Sequence, residues 1–269
     1  MSKGVTVHAS SSIGWHKRFS AALKEGLKKH SIECSLTSST KRKSDVAIIL
    51  GPNLYKNIEN DGGEYMILNR KFLGFGPRDA LDNVAISWNG FNGMGIFNIP
   101  TGDIPNRLSK YLKDEEILDW DLNHEKYLLC RQYDTGRSTR HSNINTWYKE
   151  IQSKIDSRNL KIRDKITPER AGHEKFLKSL KEDIKDVKAI FSLNSIVSVE
   201  AIVLGKGVIT EDITNPCYSV SSKDRLEEFD RYNFLNYLAN CQWNINEISS
   251  GEFLDRMGLE AFGPRLHEI

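Results

Sequence analysis

The segment Val46-Ala-Ile-Ile-Leu50 is an uninterrupted apolar run that stops at Gly51-Pro52. A strand that is apolar on both faces has to be covered on both faces, as happens to a parallel strand with helices on either side of its sheet. The neighbouring pattern agrees. Residues 5–8 read as a short strand, residues 15–29 carry Phe19, Ala22, Leu23 and Leu27 at helical spacing, and residues 32–36 alternate as a strand does. Strand, helix, strand, strand at these spacings predicts an α/β layer.

A second cycle of the same kind begins at Tyr127-Leu-Leu-Cys130. The pattern predicts helices over 144–155, 176–184 and 197–204, with strands at 161–163, 189–192 and 208–210; Gly205 sits where a helix-ending glycine belongs. Between the two cycles, residues 66–68 and 84–87 read as strands, and Trp88-Asn-Gly-Phe-Asn-Gly-Met-Gly95 is dense in turn formers. With 269 residues, of which 39% are hydrophobic, the chain has apolar material for two cores of ordinary size. The expected division is 1–123, 124–229 and a helical tail over 230–269.

Charge and cysteine usage narrow the class. The net charge of +2 permits a polyanionic partner without demanding one. Cys34, Cys130, Cys217 and Cys241 are scattered, with no Cys-x-x-Cys pair and no His at zinc-site spacing. That reads as a reduced, cytoplasmic compartment without structural zinc. No apolar run is long enough to span a bilayer and no signal-peptide core opens the chain, so neither a membrane nor export is expected.

The sharpest chemical signal is Ser192-Leu-Asn-Ser195, followed by Ile-Val-Ser-Val-Glu200-Ala-Ile-Val-Leu-Gly205. A buried strand ends at a small polar loop that opens a helix, and free N–H groups at such a place suit a phosphate. Ser192 and Ser195 supply hydroxyls. Glu200 lies inside an otherwise apolar helix, where an ionised side chain needs a specific partner such as ribose hydroxyls. The plain alternative is a capping Ser-Asn-Ser with a solvated Glu.

Strand, Asn-Ser, Glu-Ala and then Gly205-Lys-Gly-Val-Ile resembles the donor segment of GT-B glycosyltransferases. It is most similar to the capsular-polysaccharide (Kdo-type) transferases and their phage-encoded, DNA-modifying relatives. Leu128-Leu-Cys-Arg-Gln132-Tyr-Asp134-Thr-Gly136 with Ser138 and Trp147 is similar to the opening of their second domain. Lys161-Ile-Arg163-Asp-Lys165 resembles a strand that ends, in relatives, in a basic His-Pro motif; here Asp164-Lys165 replaces it. Ile86-Ser-Trp88-Asn-Gly90 with Arg107 and Trp120, and the segment from Asp230 to Gly251, also look like theirs. The resemblance runs from roughly residue 15 to residue 255, although each of its motifs is short.

The resemblance implies two Rossmann-like domains facing across a cleft, with C-terminal helices packing back, and metal-independent transfer from a nucleotide-sugar, for instance a UDP-sugar, as co-substrate. Its donor residues would be Gln132, Asp134, Arg163, Lys165, Ser192, Asn194, Ser195 and Glu200. A leaving diphosphate needs its growing charge met by a metal or by fixed cations and dipoles, and Arg163, Lys165 and Ser195 fit the second kind. Asp119-Trp-Asp121 lies in an acidic stretch and reads as solvated charge, so no metal site is expected. Gly90-x-x-Gly93-x-Gly95 lacks the strand–helix context of a dinucleotide fingerprint, and Lys206 is followed by no Ser or Thr, as a P-loop would require.

On the acceptor side, an inverting transfer needs a general base. His16, after the Ser10-Ser-Ser-Ile-Gly-Trp15 loop, and Asp79 beside Arg78 are the catalytic candidates. Asn69, Arg70, Trp88 and Asn89 are the acceptor-binding candidates. The phage relatives imply sugar addition to a hydroxylated or hydroxymethylated pyrimidine in DNA, with Tyr65, Phe72, Phe75, Trp88 and Phe91 available to hold an extruded base. Two other readings stay open: transfer to a surface or capsular glycan, and a nucleotide-sugar-binding protein without catalysis.

Overall fold

The computed structural model describes residues 2–39, 41, 44–51, 58, 64–74, 82–97, 106–112, 116–132, 143–164, 180–221 and 228–257. Internal contacts divide the chain into one unit of residues 1–113 with 236–269 and a second of residues 114–235.

In the first unit, β1 (Ser2–His8), β2 (Cys34–Thr37), β3 (Ser44–Leu50) and β4 (Tyr65–Arg70) run parallel in the order β2-β1-β3-β4. Helix α1 (Gly14–Lys29) joins β1 to β2. The apolar run of β3 is used on both faces, as its sequence requires. Val46, Ile48 and Leu50 join Phe19, Leu23 and Leu27 of α1 in one core, while Ala47 and Ile49 pack with Tyr65, Ile67 and Phe91 in another. The expected strand over 84–87 is β5 (Asn83–Trp88), which runs antiparallel to β4. Helix α2 (Arg107–Leu112) buries Arg107, Leu108, Tyr111 and Leu112.

The second unit contains β6 (Lys126–Arg131), α3 (Ile144–Lys154), β7 (Leu160–Asp164), α4 (Leu180–Asp183), β8 (Val187–Phe191), α5 (Val197–Val203) and β9 (Gly207–Ile209). Its strands are all parallel, in the order β7-β6-β8-β9. Asn143 caps α3 by accepting the Thr146 N–H. Ile144, Trp147, Tyr148 and Ile151 of that helix pack on Leu129 and Phe191. The turn after α5 holds Gly205 at φ +75, as expected of a helix-ending glycine. The segment before β6 lies along this turn through Leu118 N–H to Val203 O and Asp121 N–H to Gly205 O.

The two parallel cores therefore share one strand order, in which the second strand lies outside the first and the third on its other side. Such an order creates a crevice beyond the carboxyl ends of the first and third strands, the place where α/β sheets bind ligands. Here those strands are β1 and β3 in one unit and β6 and β8 in the other.

The chain end departs from the all-helical expectation for 230–269. Helix α6 (Arg231–Asn240) is followed by a strand, β10 (Gln242–Asn244), and then by α7 (Ile245–Ser249) and α8 (Glu252–Met257). β10 pairs antiparallel with β5 and gives the first sheet its order β10-β5-β4-β3-β1-β2. Three residues show no periodicity of their own; this strand exists because β5 offers it an edge. Gln242 also accepts the backbone N–H groups of Phe72 and Leu73, and Asn244 with Glu247 forms a capping box for α7. Residues 236–257 are thus part of the first unit and not a separate tail. Among the described residues, no helix is long and apolar enough to cross a membrane.

Candidate functional site

In the second unit, the loops leaving β6 and β8 meet at the crevice. The Gln132 side-chain oxygen accepts the Asn194 N–H at 3.1 Å. Gln132 is itself clamped, because Tyr148 on α3 uses its hydroxyl to accept the Gln132 N–H at 2.7 Å and to donate to the Gln132 carbonyl at 3.2 Å. Asn194 donates onward from its side chain to Thr214 Oγ1 at 2.7 Å. Ser192 is fully buried, and its hydroxyl has no hydrogen-bond partner among the described residues. Ser195 accepts the Val197 N–H at the start of α5.

Below this loop lies a buried polar network for which the sequence reading had no role. The Asp212 carboxylate accepts both the N–H and the hydroxyl of Thr214, at 2.9 and 2.6 Å. Asn215 donates to the Leu193 carbonyl at 2.6 Å and to Ser198 Oγ at 2.9 Å, and Thr210 donates to the same carbonyl. Glu211-Asp-Ile-Thr-Asn-Pro216, a cluster of turn formers directly after a strand, was the available signal. These bonds fix the backbone of the Ser192–Ser195 loop from beneath.

The cations expected to brace a leaving group are arranged differently from the expectation. Arg163 forms an ion pair with Asp183 on α4, so its charge is already shared. It faces Cys130 of β6, its register partner. Burial pushes the Cys130 thiol up to about 12, the Arg163 charge opposes that, and the carboxylates of Asp183 and Glu200 add to it. Arg163, Asp183 and Glu200 thus all bear electrostatically on the Cys130 thiol. Glu200 is half-buried in the first turn of α5. Lys165 and Asp134 lie outside the described residues, as do Arg78, Asp79 and Phe75. On the α3 side, a cavity of about 480 Å³ opens between Arg131, Gln132, Tyr148, Lys149 and Gln152, with Asp164 pairing Arg131 at 3.3 Å. Asp121 of the Asp-x-Asp stretch is held by Lys206 and by His124.

In the first unit, the loop after β1 and the end of β3 meet at His16. Its ring is buried, with Nδ1 accepting the Ser10 N–H at 2.9 Å, and burial lowers its pKa. Of the acceptor-side residues, Arg70 alone is described as exposed at its strand end, apart from the turn residue Asn89. Trp88 is 5% exposed and belongs to the core. Asn89, at φ +51, uses its side chain to accept the Tyr65 N–H, and Asn69 donates to Asn92. Tyr65, Phe72 and Phe91 are buried as well. These aromatics alternate inward along β4, β5 and their connections, so none of the four presents a free ring face for a base. Arg107 is buried against Trp243, and Trp120 lies beneath Arg231.

No protein-family model and no curated protein matches the chain. Among solved structures, it is similar to the beta Kdo 2,4 transferase of Thermosulfurimonas dismutans KpsC, at 14% identity and a TM-score of 0.52, over 96% of this chain and 99% of that one. The beta Kdo 2,7 transferase of the same KpsC matches at 14% identity and a TM-score of 0.49, over 93% and 98%. A putative LacI transcriptional regulator from Bacteroides fragilis matches more loosely, at 10% identity and a TM-score of 0.31, over 96% and 92%. The first of these likenesses establishes a shared α/β fold with parallel sheets.

Proposed function

We propose that the protein is a nucleotide-sugar-dependent glycosyltransferase of the GT-B class that builds glycan, with its donor at the carboxyl ends of β6 and β8. The observation that carries this reading is the Gln132–Asn194 bond, which draws together the two loops at the crevice where sheets of this order take ligands. The likeness to a Kdo transferase supports the class of reaction. Without a metal, the leaving nucleotide's charge would fall on the donors of the Ser192–Val197 loop, while Glu200 would accept from the ribose.

Between the two acceptors, glycan is favoured over DNA. Four of the aromatic residues that a flipped base would need are packed in the core. The test is to incubate the protein with a panel of nucleotide-activated sugars, offering oligosaccharide acceptors in one arm and hydroxymethylcytosine DNA in the other, and to read products by mass spectrometry beside donor binding by calorimetry. Saturable binding of a nucleotide-sugar with a mass shift on an oligosaccharide is expected. A shift on DNA alone would restore the DNA reading; binding without transfer would make this a binding protein; and no binding of any nucleotide-sugar would remove the donor site.

A further inference from the structure

The crevice of the first unit has its own polar equipment. Nδ1 of His16 receives a proton donor, the Ser10 backbone N–H, which can act in no other way. Nδ1 therefore carries the ring's lone pair, and in the neutral imidazole the proton resides on Nε2. Burial lowers the His16 pKa and so favours that neutral form. A ring held in this tautomer has no free lone pair to take a proton from an acceptor hydroxyl. The base expected at this position is, in this arrangement, a hydrogen-bond donor.

That nitrogen, Nε2, lies close to Gly51, the residue that follows β3. A Cβ built on Gly51 would lie 3.4 Å from His16 Nε2, and the residue has φ +76, which a side chain would strain. The ring thus spans the crevice from Ser10 after β1 to Gly51 after β3. His16 is 3% exposed, and its hydrogen bond with Ser10 engages Nδ1 and not Nε2. A second set of donors opens beside it. Helix α1 has 16 residues, its N-cap is Ile13 with no side-chain bond, and its first turn carries no acidic residue. The amides of Gly14, Trp15 and His16 are therefore the uncompensated N–H groups of a long helix.

We propose that the crevice between β1 and β3 is an oxyanion site for a phosphate group, with His16 Nε2–H and the first-turn amides of α1 as its donors. The Ser10-Ser-Ser12 loop supplies hydroxyls at its rim. The site stands on the geometry of the first unit alone and does not depend on the sugar-transfer reading.

The probe is inorganic phosphate, titrated into the full chain and followed by ¹H–¹⁵N NMR. Long-range imidazole correlations are expected to show His16 protonated at Nε2 and bare at Nδ1. Phosphate is expected to shift the Nε2–H resonance and the Gly14 and Trp15 amides saturably and together. His16→Gln, which places an amide donor near the Nε2 position, should retain phosphate binding within about tenfold of wild type, whereas His16→Ala should lose more than that. An Nδ1–H tautomer, the absence of saturable shifts at these groups, or unimpaired phosphate binding by His16→Ala would each overturn the proposal. Should His16→Ala fail to fold, the wild-type tautomer and titration still decide.

Discussion

The side-chain oxygen of Gln132 accepts the Asn194 N–H at 3.1 Å and so fastens the end of β6 to the end of β8. The two residues are 62 apart in the sequence. Gln132→Ala leaves the half-buried Asn194 amide without its acceptor, at a cost of about 1–3 kcal/mol. Part of that cost falls on loop order, so nucleotide-sugar affinity should fall by about tenfold or more. Gln132→Glu, which keeps an acceptor oxygen, should lose less stability. Urea unfolding with calorimetric titration checks both; a Gln132→Ala variant that binds donor as wild type does would place the nucleotide elsewhere.

How far the sequence could be read follows from the kind of signal each residue gives. The two-faced burial of Val46 to Leu50 was legible because five successive apolar residues admit few other settings. Ser192 to Ser195 was legible as a loop between a strand and a helix because turn chemistry is local. Direction is not local. Arg163 looked free to meet a phosphate, but Asp183, twenty residues on, takes its guanidinium through the packing of α4 beside β7. Trp88 was a candidate to hold an acceptor base, yet it is the buried last residue of β5. β10 had no signature at all, since three residues acquire strand geometry only from a partner edge.

Gly205 reports on the second unit. It adopts φ +75, and a Cβ there would lie 1.9 Å from the Asp119 carbonyl oxygen, which the fold cannot withdraw without breaking the Asp121–Gly205 bond. Left-handed geometry alone costs a non-glycine residue about 1–2 kcal/mol, and the clash adds to it. Gly205→Ala should lower the unfolding free energy of the second unit by more than about 2 kcal/mol. Hydrogen exchange resolves this by unit, since β6 and β8 amides should lose protection while α1 amides keep theirs.

Arg107 and Glu247 form a buried pair at 3.1 Å, with side chains 2% and 9% exposed, and the guanidinium sits over Trp243 at 4.4 Å. Glu247 also accepts the Asn244 N–H in the α7 capping box. Removing one partner of a buried pair strands the other charge, typically at about 3–5 kcal/mol. Glu247→Ala should therefore unfold at clearly lower urea. Glu247→Gln, which preserves an acceptor for both Arg107 and the cap, should be milder, and Arg107→Met combined with Glu247→Leu should recover part of the loss. A Glu247→Ala variant with wild-type stability would mean that the Arg107 bonds to the Ala239 and Gln242 carbonyls satisfy the guanidinium without its carboxylate partner.

His16 makes stability depend on pH with a definite sign. Its pKa in the folded chain is lowered from the ordinary 6.5 by burial. Well above that value the ring is neutral in both states and the term vanishes. As the pH falls through about 6.5, the unfolded chain takes the proton while the folded ring resists it, so the unfolded state binds more protons and stability declines. The decline continues until the pH reaches the lowered folded value. Protonation in the fold would also set a second N–H against the Ser10 amide, which now donates to Nδ1, so the crevice itself opposes the charged ring. Denaturant midpoints measured from about pH 7.5 to about pH 5.5 should fall more steeply for wild type than for His16→Gln, which has nothing to titrate at this position. Equal slopes would show that the imidazole gains a compensating partner on protonation, and the lone pair at Nδ1 would then not be committed to Ser10.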